Sequence, residues 1–585
     1  MSTHFKNFKT VVYIPAWVAD HLDRDRLKTD YAFLEKYIGL DKVYLETHRD
    51  GLDIPKEQLL MIKGFLEEKG VSVSGGITTT INDFEGAEAG KRRIFNTFCY
   101  TDPAMRRRIK EISEYTAGIF DEVILDDFFF TNCSCERCLE AKGDRSWPEF
   151  RRELMKDVSQ NLIVAPAKAV NPKVRMIIKY PNWRESVHHT GYLPELQDGI
   201  FDATYIGTET RSPAYTDQHL PEYLSYALPR FMENAWPGRC GGGWFDTYQC
   251  WSADRYLEQA YLTAFAQEKE IMHFMWGDLI DNPFVCAMGL QLGKIDRMMD
   301  GFGKAKGVPV YIPHASGGEN HFEMRLGMCG LPLEPTPVFP EDAPRMLLTE
   351  TALGDADIIE RLEQYVRKGG DAVITSGFLA KAGEELRKRG LTECCVSDKK
   401  LAVSRYMLTS DFAGNIGGNF SGQAPLLFPA ITHATNDSWT LVNGGDGELH
   451  EGLFLRSSYG KGRLYILAVP ENEADLYRIP DAVLDVVKRS LLSDGNDSYA
   501  SGRQLSLFTY EDGSMILYRY VKPELHSEHV TLHTRKKVSA LVDTASGRRI
   551  PVQEKRFFED FTPVTEYTAE LIATPGRFTA YRWEE

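Results

Sequence analysis

The sequence lacks a long hydrophobic run: nowhere do about 18 consecutive apolar residues follow one another, as a membrane-spanning helix requires. The first residues, MSTHFKNFKTVVYIPAW, contain no apolar core of the length that a signal peptide needs. We therefore predict a soluble, cytoplasmic protein that has no membrane partner.

Positive charge and cysteine are also scarce. The 68 Lys and Arg residues are outnumbered by 84 Asp and Glu residues, and the net charge of -16 repels a phosphate backbone, so we expect no nucleic acid partner. Ten cysteines in 585 residues are too few for a disulfide scaffold of this size. No glycine-rich phosphate-binding loop follows the first strand-like run, so nothing indicates a nucleotide site.

The length and composition are those of a globular protein with several domains. At about 100–200 residues per domain, the chain has room for about three to five domains. Hydrophobic residues make up 43% of the sequence and charged residues 26%, which excludes a disordered or coiled-coil protein.

Residues 1–305 alternate apolar, β-rich runs with stretches whose apolar residues recur three and four positions apart. Eight strand-then-helix units in one segment are typical of a (β/α)8 TIM barrel, because an open α/β sheet usually has fewer strands. We therefore predict a barrel as the first, catalytic domain. The predicted strands are Thr10–Pro15, Lys42–Glu46, Val71–Ile77, Glu122–Phe128, Val174–Tyr180, Ala203–Thr208, Gly242–Thr247 and Ile271–Trp276.

Two further domains are predicted after the barrel. Residues 306–494 restart the alternation of strands and helices, which predicts a flavodoxin-like α/β domain. The middle of this segment, Asn415–Pro425, is rich in glycine and asparagine and predicts long loops. Residues 495–585 contain short alternating runs such as SMILYRYV and FTAYRW, which predict a small all-β sandwich domain.

Acids and aromatic residues gather at the predicted carboxyl ends of the barrel strands, where this fold places active sites. Sugar rings stack on aromatic faces while their hydroxyls bind carboxylates, so the pattern predicts a glycoside hydrolase with a carbohydrate substrate. The catalytic candidates are Asp126, Asp127, Glu209 and Asp246, and the substrate-binding candidates are Glu46, His48, Arg49, Lys179, Tyr180, Trp183, Trp244, Trp276 and Asp278, with Tyr248 beside them.

Hydrolysis of an acetal needs one protonated carboxyl group for the leaving oxygen and one carboxylate for the cationic carbon. Crowded acids repel one another, which raises the pKa of at least one of them. Asp126 and Asp127 are adjacent, and the two-residue period of a strand directs them to opposite sides, so we expect only one to face the substrate fully. For Glu46, a structural ion pair is the alternative to sugar binding.

Three cysteines, Cys133, Cys135 and Cys138, form C-x-C-x2-C directly after the fourth predicted strand. Cys99 ends the loop that leaves the third strand, so four thiolates can converge on one face of the barrel. Four thiolates fill a tetrahedral Zn²⁺ site and leave no position for water. We therefore predict a structural zinc ion, with buried free thiols as the alternative.

At the segment DDFFFTNCSCERC (residues 126–138), with Cys99 upstream, the sequence resembles the family 42 β-galactosidases of the clan A glycoside hydrolases. That family has an acid/base motif at the end of strand 4, followed closely by C-x-C-x2-C, and a fourth zinc-binding cysteine upstream. Its chains consist of a barrel, an α/β trimerisation domain that resembles a glutamine amidotransferase, and a small β domain. The resemblance implies this order of domains for the whole chain, and a homotrimer.

The resemblance also implies catalytic roles. The family has Asn-Glu where this sequence has Asp126-Asp127, which makes Asp127 the acid/base, and it has a nucleophilic Glu where this sequence has Asp246. An Asp retracts the carboxylate by one methylene, and a misplacement of about 1 Å can slow a reaction about a hundredfold. We therefore expect a diverged, exo-acting glycosidase with a substrate of its own.

Two alternatives stay open at the level of the sequence. A pairing similar to that of the α-galactosidases would use Asp127 or Asp126 as the nucleophile and Glu209 as the proton donor. A carbohydrate-binding protein without catalysis would also account for the missing Asn-Glu pair.

Overall fold

The computed structural model describes residues 4–81, 94–184, 187–409, 416–447, 450–492, 497–522, 524–559 and 562–585. The chain forms two compact units, Met1–Asp300 and Gly301–Glu585. Among the helices of the described residues, none is both long enough and apolar enough to cross a membrane. The predicted domain boundary between residues 494 and 495 lies inside the second unit and stays a prediction.

The first unit is a closed parallel barrel. Each barrel strand pairs with the next one along the chain, and the first strand also pairs with the last, which closes the sheet. The predicted (β/α)8 barrel is therefore confirmed. In the described part of this unit its eight strands are β1 (Lys9–Ile14), β2 (Lys42–Arg49), β3 (Ser72–Ile77), β4 (Glu122–Leu125), β5 (Arg175–Tyr180), β6 (Ala203–Gly207), β7 (Cys240–Asp246) and β8 (Glu270–Phe274).

Large side chains fill the barrel interior. Alternate residues of a strand point inward, and Tyr13, Tyr44, Tyr205 and Trp244 belong to one buried cluster that also includes Met272. The barrel is therefore a packed core and not a pore. Only the side chains at the rim of the barrel are left to meet a ligand.

Helices surround the barrel, and side chains cap the first turns of some of them. The Asp102 carboxylate accepts hydrogen bonds from two backbone N–H groups of the helix that follows it, and Ser146 and Glu149 form a capping box. The longer helices are Arg24–Tyr37, Lys56–Glu68, Pro103–Ala117, Trp147–Asp157, Leu224–Ala235, Ala253–Phe265 and Pro283–Met298, and the short ones are Ala16–Ala19, Glu136–Lys142, Ala165–Val170, Pro194–Gln197 and Trp276–Leu279.

Two barrel strands end two or more residues earlier than the sequence predicts. β4 ends at Leu125 rather than Phe128, and β8 ends at Phe274 rather than Trp276. Apolar residues continue past both ends, but they pack within loops and a short helix, so hydrophobicity alone extends the predicted strands too far. The residues after Leu125 are therefore free of the two-residue alternation of a strand.

The second unit contains one large mixed sheet. Its strands lie in the order β10-β9-β11-β12-β17-β16-β14-β13-β15, in which the first five are parallel and the others antiparallel. The strands are β9 (Val308–Tyr311), β10 (Leu333–Thr336), β11 (Arg345–Leu348), β12 (Asp371–Thr375), β13 (Cys395–Thr409), β14 (Ile416–Thr432), β15 (Ser438–Gly445), β16 (His450–Tyr459) and β17 (Gly462–Leu467), and the helices are Phe322–Gly327, Ile358–Lys368, Ser376–Lys388 and Asp481–Leu491.

The loops predicted for Asn415–Pro425 are wrong for the described part of that segment. Residues 416–425 lie in β14, which pairs along its length with β13. Glycine weakens a strand only modestly, and pairing with a long neighbouring strand outweighs that preference. Asn415 lies outside the described residues.

The last part of the chain forms two antiparallel sheets that share a core, with Leu505 and Leu517 from one sheet packed against Leu532 and Leu571 from the other. The chain after the barrel is thus mostly β. One sheet contains Ala305–Lys306, Leu505–Tyr510, Ser514–Arg519, Phe578–Glu584, Ala540–Asp543 and Arg549–Pro551, and the other contains Ser498–Ser501, Glu528–Thr534, Thr562–Ala573 and Gln553–Glu559.

Candidate active site

Five carboxylates among the described residues lie at or just beyond the carboxyl ends of barrel strands β2, β4, β6 and β7. Because the strands are parallel, these ends meet at one rim. The exposed fraction of the side chain is 0% for Glu46, 3% for Asp126, 6% for Glu209, 9% for Asp246 and 21% for Asp127. Asp127 is therefore the most accessible of the five acids.

Arg49 joins Glu46 to Asp126 inside the rim. Its Nε donates to both carboxylate oxygens of Glu46 at 3.0 Å, and its Nη2 donates to Asp126 Oδ2. The hydroxyl groups of Tyr13 and Thr78 also donate to Glu46 Oε1. Glu46 is fully buried and its oxygens accept these hydrogen bonds, which fits the ion-pair alternative, while sugar binding by Glu46 stays a prediction.

The side chain of Arg49 lies between two aromatic rings. The guanidinium carbon is 5.1 Å from the centre of the Trp17 ring and 5.3 Å from that of Phe128, which are cation–π distances. Arg49 is only 7% exposed and holds two buried carboxylates, while its contact with substrate stays a prediction.

Lys179 is the common partner of three acids. Its Nζ lies 3.0 Å from Asp127 Oδ2, 3.3 Å from Glu209 Oε1 and 4.0 Å from Asp126 Oδ1. The ammonium group sits over the Trp244 ring, 4.5 Å from its centre. The expectation that Asp126 and Asp127 point to opposite sides is wrong, because β4 ends before them and a turn brings both carboxylates to one cation.

The two adjacent aspartates differ in proton affinity. Burial raises the pKa of Asp127 well above its ordinary value, and the negative charge of Asp126 raises it further, while Lys179 acts in the opposite direction. Burial also acts to raise the pKa of Asp126, but its interactions with Arg49, Asp127 and Lys179 together outweigh burial and lower that pKa to about 2. Asp126 is therefore ionised at every ordinary pH, whereas Asp127 can hold a proton.

Asp246 is bound in a fixed orientation at the end of β7. Arg211 donates to it through two nitrogen atoms, at 3.0 Å to Oδ1 and 2.7 Å to Oδ2, and the Tyr248 backbone N–H donates to Oδ1 at 3.1 Å. This two-pronged contact is the strong form of an arginine–carboxylate pair. Asp246 is thus an oriented carboxylate.

Glu209 lies between the two cations of the rim. Lys179 contacts its Oε1, and Glu209 together with Asp246 raises the pKa of Arg211 against the effect of burial. Its Oε2 is buried and has no hydrogen-bond partner. A buried carboxylate oxygen without a partner is uncommon in proteins, and it marks a position where a polar ligand group could bind.

Two predicted aromatic contacts face away from the rim. The Tyr180 hydroxyl donates to Gln197 Oε1 at 2.8 Å, because Tyr180 alternates with the inward-pointing Lys179 on β5. Trp276 is fully buried, and its Nε1 donates to Asp30 Oδ2 at 2.9 Å. A sugar contact for either ring stays a prediction.

His48 and Trp244 are also occupied by the protein itself. Nδ1 of His48 lies 2.8 Å from Asp53 Oδ1 and its Nε2 lies 3.2 Å from the Thr80 carbonyl oxygen, so both ring nitrogens have partners. Trp244 is 3% exposed and lies beneath Lys179. Both rings thus contact neighbouring groups of the protein, and their sugar contacts stay predictions.

The other predicted substrate-binding residues are more accessible. Trp183 is half-buried with its ring centre 5.7 Å from that of Tyr192, Tyr248 is 61% exposed, and Asp278 is exposed in the short helix Trp276–Leu279. Contact between these residues and a substrate stays a prediction.

The sequence reading missed three residues that hold the acids: Tyr13, Thr78 and Arg211. Tyr13 and Thr78 follow the same rule as the predicted acids, since they lie at the ends of β1 and β3. Arg211 is four residues beyond β6 and has a φ of 56°. The local sequence does not predict this left-handed backbone conformation. A search for cations near strand ends would have found Arg211 as a candidate.

The four predicted zinc ligands lie together in the structure. One ligand atom from each of Cys99, Cys133, Cys135 and Cys138 lies within 4.8 Å of the others, and Cys99 Sγ is 3.7 Å from both Cys135 Sγ and Cys138 Sγ. Zn–S bonds of about 2.3 Å in a tetrahedron place sulfur atoms about 3.8 Å apart. The cluster is therefore consistent with a structural zinc site.

Comparison with protein families assigns the barrel to a hydrolase class. Residues 1–289 match the family described as "Probable glycosyl hydrolase, catalytic domain", and residues 303–472 match "Uncharacterized protein SSO3021, second domain". The uncharacterized protein SSO3021 of Saccharolobus solfataricus is 27% identical over 504 residues, which cover 79% of this chain and 82% of that protein.

Solved β-galactosidases share the fold. The enzyme from Bacillus circulans sp. alkalophilus is 12% identical, with 99% of each chain covered and a TM-score of 0.64. A GH42 β-galactosidase from G. stearothermophilus is 10% identical, with 100% of this chain and 99% of that chain covered and a TM-score of 0.62. The predicted resemblance to family 42 is thus confirmed for the fold.

Proposed function

We propose that the protein is an exo-acting glycoside hydrolase in which Asp127 is the general acid/base and Asp246 is the nucleophile or base. The observation that carries the proposal is the pair of adjacent aspartates, because the pKa of Asp127 is raised while that of Asp126 is lowered to about 2. Acids whose environments push their pKa values apart are the recurring feature of glycosidase sites.

Asp127 suits proton donation to the leaving oxygen. It is more accessible than Glu46, Asp126, Glu209 and Asp246, and it retains a proton more readily than an ordinary aspartate. Lys179 holds its Oδ2 at 3.0 Å, which fixes the orientation of the carboxyl group. After the glycosidic bond breaks, the same group in its ionised form can take a proton from water.

Asp246 suits stabilisation of positive charge at the anomeric carbon. Arg211 keeps it oriented without blocking every lone pair, since each carboxylate oxygen can accept two hydrogen bonds. The side chain is one methylene shorter than the glutamate of the resembling family, so a substrate must sit deeper or a water molecule must bridge the gap.

A specific observation favours Glu209 as the alternative partner of Asp127. The two side chains contact the same Lys179 ammonium, and Glu209 Oε2 has no hydrogen-bond partner. This is the α-galactosidase-like pairing, in which a β4 aspartate is the nucleophile and Glu209 donates the proton.

Rescue of inactive variants by azide distinguishes the two pairings. In an Asp246→Asn variant of a retaining enzyme with the first pairing, azide occupies the space of the nucleophile, and we expect a glycosyl azide of inverted anomeric configuration. Under the same pairing, Glu209→Gln keeps turnover and forms no azide product. The measurement is product analysis by NMR over a panel of dinitrophenyl glycosides. The α-galactosidase-like pairing predicts a different result. In that case an asparagine variant of Asp127 or Asp126, and not of Asp246, would lose turnover and would form the glycosyl azide of inverted anomeric configuration when azide is added.

The same panel tests catalysis itself. A protein that binds sugars of the panel but hydrolyses none of them, at any pH at which it stays folded, is a carbohydrate-binding protein and contradicts the proposal.

We also propose that Cys99, Cys133, Cys135 and Cys138 bind zinc, which would fix the loop that follows Asp127. Cys135→Ser is expected to remove about one zinc ion per chain and to lower the thermal midpoint of the barrel, because structural zinc contributes directly to folding. The matched control is Cys286→Ser, since Cys286 is equally half-buried but lies on the helix Pro283–Met298. Metal analysis by mass spectrometry decides the point, and equal zinc content in both variants would contradict the site.

For the second unit we propose the flavodoxin-like domain and the homotrimer that the resemblance implies. The parallel strands support the domain assignment, because their order β10-β9-β11-β12-β17 is the 2-1-3-4-5 order of flavodoxin-like sheets. Residues 306–494 and 495–585 are the proposed domain limits.

A further inference from the structure

The exposed aromatic residues of the barrel unit are confined to its catalytic rim. Among the described residues up to Asp300, the exposed aromatic side chains all lie in the segments that follow β1, β3, β6 or β7, with Trp17 on the short helix Ala16–Ala19. The exposed large aliphatic side chains of the same unit lie on the helices Lys56–Glu68, Glu136–Lys142, Ala165–Val170 and Pro283–Met298. These aromatic residues are Trp17 (40% exposed), Phe95 (64%), Tyr215 (59%), Tyr248 (61%) and Trp251 (72%).

Tyr215 and Trp251 form one continuous aromatic surface. Their ring centres are 4.7 Å apart and the rings are tilted by 32°. Each residue is more than half exposed, so the pair presents a broad aromatic face to solvent. Ser212 links the two loops, because its Oγ accepts from the Trp251 backbone N–H at 3.1 Å and its carbonyl oxygen accepts from the Tyr215 N–H at 2.8 Å. We call this pair the aromatic platform.

The platform is directly connected to Asp246, the proposed nucleophile or base. Arg211, the residue before Ser212, binds Asp246 through two nitrogens and lies over the Tyr248 ring at 5.2 Å. A ring that stacks on the platform therefore lies on the loops that position Asp246.

We propose that the platform binds the leaving-group sugar of an oligosaccharide substrate, an inference that rests on the proposed glycosidase function. The acids of the rim are buried, so the sugar that is attacked must enter among them, whereas the platform is open and suits the part of the substrate that remains near solvent. Flat aromatic faces match the apolar face of a pyranose ring.

The size of the platform favours a sugar over a second copy of the chain. An aromatic side chain buries about 150–250 Å², and a stable protein interface needs about 800 Å² from each partner. Two half-exposed rings fall short of that area but are sufficient to cover one pyranose ring.

The kinetic test compares two substrates with the same glycone, namely a glycosyl fluoride, which has no leaving-group ring, and the corresponding disaccharide. Trp251→Ala and Tyr215→Ala are each expected to lower kcat/KM for the disaccharide about tenfold, equivalent to about 1.4 kcal/mol, and to leave the fluoride unaffected. The control is Phe558→Ala, an exposed aromatic residue of the second unit. Equal loss on both substrates, or no loss on either, would overturn the platform.

A binding test separates failure of the platform from failure of the proposed function. An oligosaccharide array is probed with Asp127→Asn protein and with the same protein carrying Trp251→Ala. Weaker binding of the double variant supports the platform even when no glycoside is hydrolysed. Equal binding by both proteins, binding by neither, or a change in molar mass by light scattering on substitution of Trp251 would contradict it.

Discussion

Replacement of Asp127 by asparagine is expected to lower kcat/KM for a glycoside with a poor leaving group by about 10²–10⁴-fold, the range that a positioned general acid contributes. The amide has the shape of the carboxyl group but cannot give up a proton to the leaving oxygen. The wild-type group is able to do so because burial and the charge of Asp126 raise its pKa. The measurement is steady-state kinetics on alkyl and aryl glycosides of the hydrolysed sugar.

The leaving group supplies the internal control. A dinitrophenyl glycoside needs no proton, so the first step of its hydrolysis should be nearly unaffected in Asp127→Asn. Asp126→Asn should act differently, because removal of the Asp126 charge lowers the pKa of Asp127. Activity depends on protonated Asp127 and falls as the pH rises through its pKa, so this variant should lose activity at a lower pH than wild type. A uniform loss on all substrates in Asp127→Asn would contradict the assignment.

Replacement of Arg49 by methionine is expected to lower the free energy of unfolding of the barrel unit by about 3–5 kcal/mol, the usual result of removing one partner of a buried ion pair. Glu46 and Asp126 would then share the buried site without their cation. Methionine fills the space between the Trp17 and Phe128 rings, so the loss reports on charge more than on packing. Chemical denaturation followed by tryptophan fluorescence measures it.

The triple variant Arg49→Met, Glu46→Gln, Asp126→Asn is the matched control. It removes the carboxylate charges together with the guanidinium, so most of the lost stability should return. A triple variant as unstable as Arg49→Met alone would show that packing around the guanidinium matters more than its charge. The activity of the same variants is also informative, because the Arg49 guanidinium lowers the pKa of Asp126.

The barrel could be predicted from the sequence because its signal is repeated. Eight apolar runs separated by amphipathic segments allow errors at individual strand ends without changing the fold. The strand ends themselves could not be read, as β4 shows: Phe128, Phe129 and Phe130 look like a continuing strand but belong to a loop. A hydrophobic run indicates that its residues are buried, but it does not distinguish a strand from a buried loop at the end of the barrel.

The candidate site was predictable in its residue types but not in its contacts. Strand-end acids and the cysteine spacing are local patterns, and both lie together in the structure. Which side chain a cation contacts depends on turns and register shifts. The pairing of Arg211 with Asp246 needs a positive φ, and the shift within β2 lets Arg49 rather than His48 reach the acids.

The aromatic residues illustrate the same limit. Trp244 and Trp276 lie at strand ends as predicted, yet both are buried by their neighbours, while the exposed pair Tyr215 and Trp251 lies several residues further along the loops. A side chain close to the strand end lies near the packed core and contacts neighbouring side chains. A side chain further along the loop lies away from the core and is exposed to solvent.

The protonation of Asp127 in the folded protein tests the account most directly. A pH titration of the carboxyl carbon of Asp127 by NMR, assigned by comparison with Asp127→Asn, reports its pKa. The account predicts a carboxyl group that stays protonated well above the ordinary aspartate value of about 3.9, while the Asp126 signal shows an ionised group throughout. An Asp127 that ionises at or below that ordinary value would contradict its role as the proton donor.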